Sequence, residues 1–186
     1  SLNAGSLWGR PFYILREAWN ILNAIAEGKI ESGDEKKLNA LKGETMAVIA
    51  LCQFDLTRCF GYPYTKDNGA SLGAPLIDHL VGTYENPSRS TVAQAYDFII
   101  ETLEEAVTLM SEEKNNGRMN KYAARALLAR VYLYHNDNRK AFDMADQLIK
   151  DVDASGSYAL YPHEKYVAAW SVETKFGSES FFEIAK

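Results

Sequence analysis

The sequence predicts an all-α fold of tetratricopeptide-like stacked helix pairs, with a long irregular loop and an irregular C-terminal end. First, residues 118–149 read as two helices joined by a polar turn at residues 135–138. Second, a helical period recurs along most of the chain but is lost over residues 61–89. Third, the spacing of five residues fits a tetratricopeptide unit, whose period is about 34 residues. These residues are Leu128, Ala129, Tyr132, Ala141 and Ala145. Because one such unit cannot bury its apolar face alone, we expect neighbouring helix pairs.

The predicted pair at residues 118–149 has a seam that suits close packing. The small side chains that let its backbones approach are Ala126, Ala129, Ala141 and Ala145. Larger apolar side chains are expected to fill the seam: Leu127, Leu128, Tyr132, Phe142, Leu148 and Ile149.

Two helices are predicted near the start of the chain. Residues 7–29 repeat apolar side chains at three- and four-residue steps. Since Pro11 suits a first helical turn, we expect this helix to begin near Arg10. A second helix is predicted over residues 35–60. Its stretch at residues 46–52 is apolar on all sides, which predicts the central and most buried helix.

Four side chains of the second helix carry further expectations. Cys52 and Cys59 lie about 10 Å apart along the helix axis, which is too far for a disulfide. Both are expected to be small buried apolar residues. Asp55 and Arg58 are one turn apart and are predicted to form a structural ion pair.

The remaining elements follow from turn and capping signals. Residues 61–89 are punctuated by glycine and proline and predict a long irregular loop. A third helix is expected to open at Thr91, because Gln94 three residues later completes a capping-box pattern. After the fifth helix the pattern breaks into turns, a short helical piece at residues 164–170 and a strand-like stretch at residues 181–184.

Composition indicates a globular domain and excludes two classes of function. The 186 residues are 47% hydrophobic and 24% charged, which we interpret as one domain over residues 1–186. The net charge is −5 and no basic tract is present to neutralise phosphates, so nucleic acid is not expected as a partner. No apolar run reaches the ~18 residues that a membrane span requires, and no signal peptide is visible.

Catalysis has little support in the sequence. His79, His135 and His163 are scattered without metal-ligand spacing. The adjacent carboxylates Glu104 and Glu105 point to different sides of their helix. No phosphate loop or nucleophile motif is present. We therefore predict no enzyme activity, no catalytic residue, no metal and no cofactor.

Sugar binding is better matched, because it needs flat apolar faces with polar groups beside them. The loop supplies both in Tyr62, Tyr64, Asp67 and Asn68, with Lys66 between them. The alternative role of the two tyrosines is to turn the chain and pack back on the preceding helix. Trp8 and Trp170 are further candidate ligand contacts, and their alternative role is a half-buried place in the core.

Five blocks, in order along the chain, resemble the SusD/RagB family of outer-membrane nutrient-binding lipoproteins. They are Gly43-Glu44 with residues 54–61; residues 89–92 with 96–100 and 103–106; Gly117-Arg118 with residues 123–124 and 126–134; residues 156–160; and residues 178–184. Five such blocks in the right order are hard to obtain by chance. The chain departs from the family pattern at Ile49 and Gln53, where the family usually has Arg and an aromatic residue, and at Thr102, which replaces an Asp.

The resemblance implies a role at the cell surface of Bacteroidetes-type bacteria. A family member captures a nutrient glycan, an oligosaccharide or polysaccharide, without catalysis at the extracellular face of the outer membrane. It passes the glycan to a partner, a SusC-like TonB-dependent transporter. Family members begin with a lipidated Cys upstream and continue past residue 184. We therefore expect this chain to be the helical-repeat part of a longer protein, without its lipid anchor.

A second interpretation is a helical-repeat scaffold that binds a protein or peptide, since such surfaces commonly do so. Lys121, Arg125 and Arg130 would then line a groove for acidic peptide ends. The two interpretations differ in where ligands contact the protein, at the loop aromatics or at the charged helix face.

Overall fold

The computed structural model describes residues 4–30, 33–170 and 176–184. This part of the chain contains six α-helices: α1 (Ala4–Ala26), α2 (Glu35–Phe60), α3 (Val92–Leu109), α4 (Lys121–Tyr134), α5 (Asn138–Ser155) and α6 (Tyr166–Ala169). Two short strands, β1 (Leu72–Pro75) and β2 (Arg89–Thr91), pair antiparallel. Short 3-10 turns form at Tyr64–Lys66 and His163–Lys165. The predicted all-α class is confirmed, and the irregular loop contains the two-stranded ladder that the sequence did not indicate.

Local capping explains where the helices begin. Asp34 accepts hydrogen bonds from the Lys36 and Lys37 backbone N–H groups at the start of α2. Thr91 and Gln94 form the predicted capping box of α3, and such reciprocal caps satisfy backbone donors that a helix leaves unpaired. These side chains set the predicted starts of both helices.

Helix α1 begins at Ala4, so the expectation that it begins near Arg10 was wrong. Pro11 lies inside the helix instead of in its first turn. A proline removes only one intrahelical hydrogen bond, and the helix continues through it. Trp8, one turn earlier, packs its ring edge-on against Phe12 and Phe60, at centroid distances of 5.0 and 4.7 Å. These aromatic contacts hold the extra turn against α2.

Helix α2 is the centre of the stack, as predicted. It packs against α1 on one side and α3 on the other, with further contacts to α4. Ala47, Ile49, Ala50 and Phe54 are completely buried. Asp55 and Arg58 form the predicted ion pair at 2.6 Å, and the guanidinium also lies over the Phe54 ring.

Helices α4 and α5 form the predicted pair, but two of its expected seam residues were wrong. Leu127, Leu128 and Leu148 are buried, whereas Phe142 and Ile149 are exposed. Among the described residues α5 packs mainly on α4. Its opposite face therefore lies in solvent, and the helical period alone cannot tell the two faces apart.

Two smaller expectations were also wrong. Cys52 is buried but Cys59, near the end of α2, is exposed, and both are free thiols. Residues 181–184 do not form a strand; residues 181 and 182 are bends. Phe181 packs its ring edge-on against Tyr158 at 4.8 Å, so this stretch is apolar because its side chains cover the core.

The close approach of α2 and α3 at Gly43 gives a stability prediction. A Cβ on Gly43 would lie 2.7 Å from Met110 Cγ and 2.9 Å from the Ala106 carbonyl oxygen. We expect Gly43→Ala to lower the free energy of unfolding by about 1–2 kcal/mol, because overpacking outweighs the gain in helix propensity. Gly9→Ala in α1 is the matched control, since a Cβ there meets nothing within 4 Å, and it should raise the free energy of unfolding by up to about 1 kcal/mol. Urea unfolding of both variants measures this, and equal stabilisation would contradict the packing argument.

Candidate functional site

The first candidate surface is the part of the loop that directly follows α2. The Tyr62 side chain is 57% exposed. The Lys66 ammonium lies over its ring, with Nζ 3.0 Å from the ring centroid. Such a cation–π contact fixes the orientation of the ring and covers one of its faces with the ammonium. The opposite face of the exposed ring and the ammonium donors are thus held in one place.

Asp67 and Asn68 complete this surface with polar groups. Both are exposed. The hydroxyl of Ser71 donates to Asp67, and this hydrogen bond holds the pKa of the Asp67 carboxyl below its ordinary value. Asn68 has a positive φ of 53°, a conformation that asparagine tolerates better than most residues. The pair therefore presents a carboxylate and an amide on a tight turn.

The same turn is clamped to the start of α3. Gly69 has a φ of 75°, and a Cβ there would lie 2.7 Å from the Ala93 nitrogen and 2.8 Å from the Tyr64 ring. The Ala93 N–H donates to the Gly69 carbonyl at 2.9 Å. Only glycine permits both the conformation and this close approach. The exposed polar groups therefore stand on a fixed base.

Tyr64 lies beneath this surface more than on it. Its ring is half-buried, 4.2 Å from the His135 ring and 5.7 Å from the Tyr96 ring between centroids. It thus packs back onto α3 and the turn between α4 and α5. A direct contact of Tyr64 with a ligand stays a prediction.

The second candidate surface is a cleft of about 590 Å³ between α1 and the later part of the loop. Trp8 and Phe12 form its helical wall, and Ile77, Val81 and Pro87 lie opposite. The loop wall is tied down by the core. The Trp19 indole N–H donates to the Ile77 carbonyl at 3.1 Å. The cleft is largely apolar, and the Trp8 indole is part of its wall.

One rim of this cleft carries a charged cluster that the sequence analysis did not single out. His79 Nδ1 lies 2.6 Å from Asp78 Oδ1, and His79 Nε2 lies 2.7 Å from Glu85 Oε1. The second oxygen of Glu85 accepts the Gly82 N–H at 3.0 Å. Hydrogen bonds to Asp78 and then Glu85 raise the pKa of His79.

Tyr84, inside the turn closed by this cluster, is also missing from the predicted site residues. Its side chain is 95% exposed, the highest exposure of any large apolar side chain in the described part of the chain. The sequence signal for this cluster is Asp78-His79 followed by Gly82 and Glu85, which flank Tyr84. Because His79 was considered only as a catalytic or metal-binding group, this signal did not lead to a predicted site.

The structure separates Trp170 from these surfaces. It ends α6, is 75% exposed and makes an edge-on ring contact with Tyr166 at 6.1 Å. Trp8 is brought together with the later part of the loop, while Tyr62, Asp67 and Asn68 remain in its first part. The six predicted residues therefore fall in three places.

On the charged helix face of the second interpretation, Lys121 and Arg125 are paired with carboxylates, while Arg130 is exposed. Arg125 is mostly buried and forms an ion pair with Asp151 on α5 at 2.6 Å. Lys121 lies 3.7 Å from Glu112. Within residues 4–30, 33–170 and 176–184, no group of three His, Cys, Asp or Glu side chains could hold a metal ion. In the same residues, no helix has the length and apolar character needed to cross a membrane.

Stacked helix pairs with an exposed aromatic loop place the chain in the helical-repeat class of folds. A family model, SusD-like_3, described as starch-binding and associating with the outer membrane, matches residues 3–133. The chain belongs to this SusD-like family. No curated protein matches it.

Solved structures agree with this assignment. A SusD superfamily protein from Bacteroides vulgatus is 96% identical over 99% of this chain, with a TM-score of 0.95. One from Bacteroides thetaiotaomicron is 41% identical over 95% of the chain, with a TM-score of 0.89. A further protein from Bacteroides vulgatus, described as a putative sugar binding protein, is 37% identical over 98% of the chain, with a TM-score of 0.87. The chain spans only 41%, 38% and 41% of the lengths of these three proteins.

Proposed function

We propose that this chain captures a nutrient glycan without catalysis, as part of polysaccharide utilisation. The observation that carries the proposal is the surface at Tyr62, where an exposed ring stands beside Lys66, Asp67 and Asn68. A pyranose presents C–H groups on its faces and hydroxyls around its edge. A tyrosine face with polar groups beside it matches both features. The family description as starch-binding supports the same chemistry.

The proposal includes a place and a partner. The protein acts at the extracellular face of the outer membrane and delivers its glycan to a SusC-like TonB-dependent transporter. The association of the family with the outer membrane supports the place. The helical stack would supply the transporter contact, since repeat proteins present extended surfaces to partners.

The alternative, a scaffold that binds acidic peptide ends, has less support. It needs free cations on the face of α4, but Arg125 and Lys121 are already paired with Asp151 and Glu112, which leaves the exposed Arg130 as the remaining cation of the proposed groove. Using Arg125 for a ligand would leave Asp151 without its cation. Among the described side chains, the Tyr62 surface is therefore the better supported binding surface.

The central prediction concerns Tyr62. Tyr62→Ala should weaken binding of a soluble polysaccharide about tenfold or more, a loss of about 1.4 kcal/mol, because the stacking face is removed. Tyr62→Phe keeps the face and should lose much less. Affinity electrophoresis and calorimetry, across a panel that includes starch and laminarin, measure the effect.

Tyr13 supplies the control for this experiment. It is 60% exposed and also lies under a cation, with Arg16 5.1 Å from its ring centroid. Tyr13→Ala on α1 should leave binding unchanged. Equal losses for Tyr13→Ala and Tyr62→Ala would contradict a site at the loop. If the folded chain binds no glycan of the panel, the loop does not form a self-sufficient site.

Tyr64 requires a separate test because its ring supports the loop. Tyr64→Ala should lower the free energy of unfolding by about 1–3 kcal/mol, through lost packing on Tyr96 and His135. Tyr64→Phe keeps that packing and should leave stability within about 0.5 kcal/mol. Weaker glycan binding by the folded Tyr64→Phe protein would show a direct role for the hydroxyl. Unchanged binding would limit Tyr64 to support.

A further inference from the structure

We propose that His79 is a positioning residue, whose protonated ring clasps Asp78 and Glu85 and thereby holds Tyr84 at the rim of the Trp8 cleft as an additional glycan contact. The inference rests on the proposed function and deepens it in two respects. It adds a second aromatic platform to the binding surface. It also makes that platform dependent on pH.

The geometry around the His79 ring requires one particular protonation state. Both ring nitrogens of His79 lie within 2.7 Å of a carboxylate oxygen. A neutral imidazole has one N–H and one lone pair, and only the imidazolium donates from both nitrogens. The two contacts therefore exist together only when the ring carries its second proton.

The contacts of His79 with Asp78 and Glu85, called the clasp below, are linked to the turn at residues 82–85. Glu85 accepts from His79 with one oxygen and from the Gly82 N–H with the other, at 2.7 and 3.0 Å. The Glu85 N–H donates to the Gly82 carbonyl at 3.1 Å, which closes the turn. Glu85 is thus shared between the clasp and the turn. Losing the contact with His79 frees the carboxylate that caps Gly82.

The turn at residues 82–85 presents the side chain of Tyr84. Tyr84 lies within this closed turn, with Gly82 and Thr83 on the wall of the cleft. Its ring is almost fully exposed, so the backbone of the turn sets its position more than any side-chain packing does. An exposed tyrosine that follows Thr83 on the wall of the Trp8 cleft suits a stacking contact with a sugar ring.

The charges around the cleft indicate the class of glycan. Asp78 and Glu85 with one protonated His79 carry a net charge of −1. Arg16 of α1 also lines the cleft, but it pairs with Glu17 at 2.9 Å. The remaining residues that line the cleft are uncharged. No excess positive charge is available, so the site favours a neutral glycan over a polyuronate or a sulfated chain.

The dependence on pH has a defined sign. Hydrogen bonds to the two carboxylates of its own loop raise the pKa of His79, and Arg16 is the other charged residue that lines the cleft. A raised pKa means that the clasp is fully present below the unfolded histidine value of about 6.5 and is lost as pH rises through the folded value. Glycan affinity should therefore fall as pH rises through the folded pKa of His79.

The test measures the clasp and the binding separately. NMR titration of the His79 ring, together with hydrogen exchange of the Gly82 amide, reports the clasp without any glycan. We expect the His79 titration above that of an ordinary histidine, and faster Gly82 exchange in His79→Ala. The exposed His163 serves as the reference, because His163→Gln should change neither Gly82 exchange nor binding. An ordinary titration midpoint, or Gly82 exchange unchanged in His79→Ala, would overturn the clasp.

Binding is then measured with amylopectin as the neutral probe and polygalacturonate as the anionic one, from about pH 5.5 to 8.5 across the histidine range. Tyr84→Ala and His79→Ala should each weaken amylopectin binding about threefold or more, and His79→Ala should abolish its pH dependence. Preferential binding of polygalacturonate would overturn the assignment to neutral glycans. If Tyr62→Ala abolishes amylopectin binding while Tyr84→Ala and His79→Ala leave it intact, the proposed function stands and this inference fails. If neither probe binds, the Tyr84 contact fails, the wider panel of glycans decides the proposed function, and the titration still decides the clasp.

Discussion

The buried amide of Gln53 connects the core of the helix stack to the segment that carries the candidate site. Gln53 lies on the central helix α2 and is 0% exposed. Its amide donates to the Pro75 carbonyl at 3.1 Å, and its carbonyl accepts the Ile77 N–H at 3.3 Å. A buried amide that lost these partners would be costly, so the loop segment is fixed relative to α2. The loop wall of the Trp8 cleft begins at this segment.

The rest of the loop is anchored in the same manner, by hydrogen bonds to its backbone groups. Strand β1 pairs with β2, which places residues 72–75 against the start of α3. Arg89 reinforces the ladder by donating to the Gly73 and Leu72 carbonyls, each at 2.7 Å. The exposed Tyr62 ring is not part of this anchoring. This division suits a binding surface, because side chains can change with the ligand while the scaffold stays the same.

Sequence reasoning succeeded where structure depends on neighbours along the chain. The span of α2 and the capping box at Thr91 follow from local patterns, and the structure confirms both. It failed where distant residues decide the outcome. The pairing of β1 with β2 joins segments more than ten residues apart. The exposure of Phe142 depends on which elements pack against α5, and the helical period of the sequence carries no information about them.

The same reasoning explains the site. Tyr62 was recognisable because a tyrosine beside Lys, Asp and Asn in a loop is a local signal. The approach of Trp8 to residues 75–87 depends on two tertiary contacts, the packing of α1 on α2 and the hydrogen bonds of Gln53 to the loop. Local sequence patterns contain neither contact. Gln53 itself stood out only as a departure from the family pattern. Its two hydrogen bonds show that position 53 makes a polar contact in this chain, although the family usually has another residue type there.

The unequal burial of the two cysteines has a practical consequence. The chain contains only Cys52 and Cys59. Burial raises the pKa of the Cys52 thiol to about 11, so this group is both shielded and protonated near neutral pH. Cys59 is exposed on the last turn of α2, three residues before Tyr62. A thiol-reactive fluorophore would therefore attach at one position beside the loop, and the unmodified sequence already carries the attachment point for an optical reporter of ligand capture.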